Sequence, residues 1–279
     1  MAVLALAALG SAAAQARTYT AEYSWEMETK PDSCAVRREF GTGSDVVLLE
    51  LRQYLRDGDV RAMVAGTELK IARQLDPLVH LPPHAGMLKP DGFFRIAVPN
   101  GPQGLIFTLP IMGNEVEDPR FSSQPGLKDA TRLELTRAFS SDISLETGPM
   151  TDAIAFLEGC TQQLIRSWGL DPDEQKALSR RPTPVDQKRW AAEIQRAFPT
   201  RPLLAGESGR VNFRLLIDDE GTPTDCFVEP PAIPELQETA CKLLMKHARF
   251  EPGLDSAGQP VASYFVSTVV YLVTRGVGP

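Results

Sequence analysis

The chain has 279 residues, 43% of them hydrophobic and 23% charged, a profile that excludes a disordered or low-complexity chain and suits one large domain or two small ones. Its 29 Lys and Arg against 36 Asp and Glu give a formal charge of −7, and without a basic stripe this balance argues against a dedicated nucleic-acid binder. Beyond the first residues no run approaches the about 18 apolar positions of a membrane-spanning helix, so no mature transmembrane segment is expected.

In chain order, residues 1–16 read MAVLALAALGSAAAQA, an apolar run ending in Ala14-Gln15-Ala16, the small-x-small form of a signal-peptidase site. The stretch is read as a signal peptide whose removal leaves Arg17 first. Export of this kind implies the periplasm, where disulfides persist. Residues 17–170 follow as a mainly antiparallel β domain. The apolar runs 46–51 and 93–98 predict strands, and 104–109 follows Pro99-Asn100-Gly101 so closely that it closes a hairpin with the second run. Residues 131–139 alternate as a half-buried strand. Gly41-Thr42-Gly43-Ser44 is a turn, because it lacks the third glycine and the following helix of a dinucleotide fingerprint. His80 and His84 stand four apart, but Pro82 and Pro83 between them forbid the helix on which that spacing chelates a metal. A helix from Thr151 or Asp152 to Trp168 closes the domain, with Ala153, Ile154, Leu157, Cys160, Leu164 and Trp168 at helical spacing and Gly169 as its stop.

Residues 171–199 carry charges of both signs, are interrupted by Pro172, Pro182 and Pro184, and read as a linker around one short helix near 185–197. Residues 200–275 have the order β-β-α-β. Val211, Phe213, Leu215 and Ile217 alternate onto one face of the first strand. Asp218-Asp219-Glu220-Gly221 is a polar turn, too solvated to push two carboxyl groups into acid and base roles. Residues 224–228 are extended until Pro230 and Pro231. Residues 235–248 form a helix with Leu236, Ala240, Leu243, Leu244 and His247 in one stripe. Residues 261–273, rich in Val, Tyr, Phe and Thr, make one long strand. The fold class is therefore α+β, a β-rich N-terminal domain closed by a helix and then a small β-β-α-β domain.

The cysteines are Cys34, Cys160, Cys226 and Cys241, and four of them allow three connectivities. None sits in a CxxC or a Cys/His cluster, which argues against a zinc site or a thioredoxin-like centre. A strand and the helix packed on it bring Cβ atoms within bonding reach, so Cys226 is expected with Cys241, which leaves Cys34 with Cys160.

The last segment also carries a composite pattern. Phe198-Pro199 precedes Gly209. Val211 to Gly221 reads V-x-F-x-hydrophobic-x-I-D-x-x-G. Leu236 to Cys241 opens a helix, Arg249-Phe250-x-Pro252 leaves it, and Gly258-x-Pro260-Val261 introduces the final strand. In this order the pieces resemble the C-terminal domain of the TonB energy-transducer family, and Cys226 with Cys241 is similar to a disulfide-bearing branch of it. Two features depart from the family. Glu229-Pro230-Pro231-Ala232 stands where Ser-Ser-Gly is frequent. A signal peptide and a folded domain stand where a transducer has its membrane anchor and Pro-rich spacer. The resemblance thus implies a fold and a binding mode rather than energy transduction.

What it implies is capture of an extended segment, such as one from an outer-membrane receptor, on the edge of the last strand, with Ser263, Phe265, Ser267, Thr268 and Val269 as the peptide-binding residues. The expected function is that of a periplasmic, non-enzymatic binding or adaptor protein with no cofactor and no metal; strand swapping offers a route to a homodimer. Gly-x-Ser-x-Gly, P-loop and His-Glu-x-x-His motifs are missing from the sequence. The alternatives are an enzyme with a site in the N-terminal β domain or the interdomain cleft, and a passive envelope module.

Overall fold

The computed structural model describes residues 16–54, 59–90, 93–99, 101–111, 126–230 and 232–273. The signal-peptide reading of 1–16 falls, but for Ala16, outside the described residues. The chain forms two compact units, one of Met1–Thr29, Cys34–Gln53 and Asp57–Glu158, the other of Lys30–Ser33, Tyr54–Arg56 and Gly159–Pro279.

The first unit contains β1 (Arg17–Thr20), β2 (Glu26–Lys30), β3 (Ser33–Thr42), β4 (Asp45–Gln53), β5 (Asp59–Gly66), β6 (Leu78–His80), β7 (Met87–Leu88), β8 (Phe93–Ala97), β9 (Gln103–Pro110), β10 (Leu133–Thr136) and β11 (Ile143–Glu146), and the start of helix α1 (Thr151–Ser167). Its larger sheet has the order β2-β3-β4-β5-β9-β8. Leu49 pairs with Val64 and Val64 with Leu105; Leu51 pairs with Ala62 and Ala62 with Phe107. Period-2 alternation therefore gathers these side chains on one fully buried face. The opposite face carries an ion network. Arg37 Nε reaches Glu50 Oε2 at 2.5 Å, and Arg52 Nε reaches Glu50 Oε1 at 2.8 Å. Both guanidinium groups also donate to Glu28 Oε2, Arg37 at 2.9 Å and Arg52 at 2.5 Å. Burial alone raises the Glu50 carboxyl, but the hydrogen bonds and charges of Arg52 and Arg37 outweigh it and hold the group below the usual carboxylate range. The smaller sheet, β1-β11-β10-β6-β7, is antiparallel except for the β1–β11 pair, which is parallel.

Helix α1 buries Ala153, Ile154, Leu157, Cys160 and Leu164, the stripe its spacing predicts, and ends at Gly169 in the left-handed region with φ +79°.

The second unit adds α2 (Pro172–Ala177), β12 (Thr183–Val185), α3 (Gln187–Arg196), α4 (Thr200–Ala205), β13 (Gly209–Ile217), β14 (Pro223–Val228), α5 (Pro234–His247), β15 (Arg249–Glu251), β16 (Gly253–Leu254), β17 (Pro260–Val261) and β18 (Ser263–Tyr271). A three-stranded antiparallel sheet, β14-β13-β18, is its centre. Val211, Phe213, Leu215 and Ile217 of β13 form one core with Leu236, Ala240 and Leu244 of α5 and with Trp190 and Ile194 of α3. Residues 171–199 are therefore more than a tether. They supply α3 to this core, and β12 pairs with β15. The final strand also differs from the single run 261–273. It is broken at Ala262 between β17 and β18, where the Ala262 carbonyl accepts from Gln175 Nε2 at 2.9 Å.

Cys226 of β14 and Cys241 of α5 are joined, with Cα atoms 5.7 Å apart. Cys34 and Cys160 are disulfide-bonded as well, and no cysteine is free. The Asp218–Gly221 turn is an Asx-type loop. Asp218 Oδ1 accepts from the backbone N–H of Glu220 and Thr222 at 3.1 and 2.7 Å. Gly221 has φ +83°, and a Cβ there would stand 1.8 Å from the Phe250 carbonyl oxygen, so only glycine lets the turn approach β15.

Candidate functional site

Strand β13 is central, so β14 and β18 are the two edges of the C-terminal sheet. Backbone direction on β18 follows from its register. The Asn212 carbonyl accepts from Glu229 N–H at 2.9 Å, which turns the backbone of Asn212 toward the β14 side. Successive residues of an antiparallel strand point their N–H and C=O alternately left and right. Val211, Phe213, Leu215 and Ile217 therefore face β18, where they pair with Val269, Ser267, Phe265 and Ser263. The residues between them, Tyr264, Val266 and Thr268, turn N–H and C=O outward. Among the described residues, nothing hydrogen-bonds these outward groups; Val266 and Thr268 are half-buried, whereas Tyr264 is 9% exposed.

At both ends the outward run stops. Gln195 Nε2 of α3 donates to the Val270 carbonyl at 2.5 Å. Gln175 of α2 donates to the Ala262 carbonyl and accepts from Ser263 Oγ at 2.6 Å. Gln175 is 4% exposed.

All five residues expected at the edge lie on β18, but their roles separate. Ser263, Phe265, Ser267 and Val269 spend their backbone groups on β13. Ser263 is buried, and Phe265 and Val269 pack with the core. Of the five, only Thr268 has its backbone directed outward, and its hydroxyl donates to Asn212 Oδ1 at 2.8 Å. Tyr264, Val266, Gln175 and Gln195 were not singled out by the sequence. Alternation along residues 261–273 shows two faces, but which set carries the outward backbone depends on the β13 partner.

The face of the sheet opposite the core holds a buried cation. Arg214 is 4% exposed. Its guanidinium lies 3.5 Å from the ring centre of Trp168 and 5.0 Å from that of Phe227. Tyr54 stacks on Phe227 with centroids 6.2 Å apart, and Trp168 meets Tyr264 edge-on at 6.4 Å. The order Tyr54, Phe227, Arg214, Trp168, Tyr264 is thus an aromatic stack with a cation at its middle. Among the described residues, Nε and Nη1 of Arg214 have no hydrogen-bond partner. Burial pushes the guanidinium down to about 10, although the charges of Asp225, Asp32 and Glu229 favour its cationic form.

In the N-terminal unit, His80 Nδ1 stands 2.8 Å from Glu134 Oε2 and its Nε2 2.7 Å from the His84 carbonyl oxygen. Both ring nitrogens are engaged, and His84 contributes its backbone rather than its ring. Among the described residues, no three His, Cys, Asp or Glu side chains gather into a metal-binding group. Likewise, no helix among them is long and apolar enough to cross a membrane.

Residues 194–272 match the family described as Gram-negative bacterial TonB protein C-terminal. The matched span runs from the end of α3 through β18, and Trp168, Gln175 and Trp190 lie outside it. No curated protein matches the chain.

Proposed function

We propose that this protein is a binding or adaptor protein of the periplasm that takes up an extended segment of a partner protein as an added strand on β18. The observation that carries this reading is the row of outward N–H and C=O groups on Tyr264, Val266 and Thr268, unbonded among the described residues. Main-chain hydrogen bonds of this kind supply affinity in strand addition, and alternate side chains supply selectivity. The match of residues 194–272 to TonB C-terminal domains supports a protein-interacting role. The leader-like residues 1–16 and the fully oxidised cysteines support a compartment outside the cytoplasm.

Proline tests the edge directly. Val266 directs its N–H outward, so Val266→Pro removes one docking donor without removing a bond to β13. The measurement is binding of fluorescent extended peptides from outer-membrane receptor N-termini to the full chain, followed by anisotropy. Val266→Pro is expected to weaken binding at least tenfold, while Val266→Ala stays within about threefold of the parent. Equal binding by the proline variant and the parent, with circular dichroism unchanged, would place any docking elsewhere.

A further inference from the structure

Building on the docking reading above, we infer that Gln175 and Gln195 are length and register stops for the docked segment, making them selectivity residues of the edge. An added strand pairs with every second residue of β18, so its register runs through Ala262, Tyr264, Val266, Thr268 and Val270. The two outer carbonyls are occupied by glutamine side chains, at 2.9 Å for Ala262 and 2.5 Å for Val270. Among the described residues, three remain with both outward groups unbonded, half-buried Val266 and Thr268 and the more enclosed Tyr264. From Tyr264 to Thr268 is four residue steps of about 3.4 Å, a span of roughly 14 Å that fits a strand of about five residues.

The stops differ in strength. Gln175 is buried, and both ends of its amide are used, one on Ala262 and the other on Ser263 Oγ. It sits on a helix whose start is held by Asp171 Oδ1, which accepts from Asp173 and Glu174 N–H. Gln195 is exposed and makes one hydrogen bond. The Ala262 end is therefore a fixed stop that sets register. The Val270 end is a displaceable stop that removes the advantage of longer segments, because a longer strand exchanges one hydrogen bond for another and gains nothing net.

The same geometry selects the occupant. A second copy paired through β18 would bring its own α2 and α3 glutamines to the same two ends. A five-residue strand contact also buries far less than the about 1,200 Å² of a stable interface. A short extended segment of a partner protein fits both facts.

The test uses the full chain and two capped probe peptides, Ac-TVTVT-NH2 and Ac-TVTVTVTVT-NH2, followed by amide NMR titration. The parent is expected to bind both within about twofold, with shifts at Tyr264, Val266 and Thr268. Gln195→Ala, an exposed position, is expected to leave the short peptide unchanged. The long one should tighten by about tenfold as the Val270 amide joins the shifted set. If the parent already prefers the long peptide tenfold, or Gln195→Ala leaves the length dependence as it was, the stops are overturned while docking stands. If neither peptide moves these amides at millimolar concentration, docking on β18 fails and the stops fail with it.

Discussion

At the residue scale the two units treat buried charge in opposite ways. Arg214 is enclosed by aromatic rings, and its Nε and Nη1 find no acceptor among the described residues. Rings recover part of the desolvation cost, on the order of 2 kcal/mol at best, and an unsatisfied buried donor costs about 1–3 kcal/mol. Arg214→Met, which keeps the volume and drops the charge, is therefore expected to stabilise the protein by about 1 kcal/mol. Arg214→Ala leaves a cavity under Trp168 and is expected to cost about 2 kcal/mol. Opposite signs for the two variants in urea unfolding check the argument. In the N-terminal unit, Glu50 is paired on both sides. Its folded pKa lies below the unfolded one of about 4.3, so its stabilisation is present above that pH and is lost as pH falls through the folded value. Glu50→Gln leaves Arg37 and Arg52 facing a neutral group and is expected to cost about 2–3 kcal/mol at pH 7. The gap between parent and variant should close as pH falls below the unfolded value and through the lowered folded one, where the parent carboxyl takes up its proton. Chemical unfolding at pH 7, 4 and 3 measures this, and a constant gap would sink the account. Neither Arg214 nor Glu50 stood out in the sequence, because a charged residue in an alternating strand looks the same whether its face is wet or covered.

At the scale of elements, legibility followed periodicity. Helices α1 and α5 were plain from their apolar stripes and stops, β4, β8 and β9 from short apolar runs and the turn between the last two, and β13 and β14 from alternation bounded by Gly, Asp and Pro. The Asp218–Gly221 turn was plain for the same local reasons, and the turn expected at Gly41–Ser44 is narrower than that, Gly43 and Ser44 alone, because Gly41 and Thr42 still pair with Val46 and Asp45. Where partners decide, the sequence was mute. The parallel pairing of β1 with β11 joins segments far apart in the chain. The short strands β12 and β15 exist only because they find each other. At Ala262 the chain passes from pairing with β16 to pairing with β13, and its carbonyl is bonded by Gln175, a residue 87 positions away. Prolines at 172, 182 and 184 made the intervening stretch look like a tether. Yet Pro172 opens α2, a position where its missing N–H costs nothing. The site was half legible for this reason. The strand was found, but the choice between its odd and even residues belongs to the sheet.

At the scale of the molecule, the folded C-terminal unit is larger than the segment its family pattern marks. Trp190, 5% exposed, fills the core below β13, and Trp168 covers Arg214 on the other side, yet both precede residue 194. Loss of a buried tryptophan costs about 3–5 kcal/mol, comparable with the whole stability of a small domain. A fragment of residues 194–273 is therefore expected to show no cooperative thermal transition by circular dichroism. Residues 159–273 carrying Cys160→Ser are expected to show one. A sharp transition in the shorter fragment would mean that the added aromatic side chains are dispensable.

The contact between Trp168 and Arg214 has an optical consequence. The chain has three tryptophans, and the indole of Trp168 has a buried guanidinium 3.5 Å from its ring centre. A cation held against the face of an indole perturbs its excited state, and Tyr264, which touches that indole edge-on, belongs to the edge strand. The emission of Trp168 is thus an intrinsic signal for the state of the sheet, readable without a label.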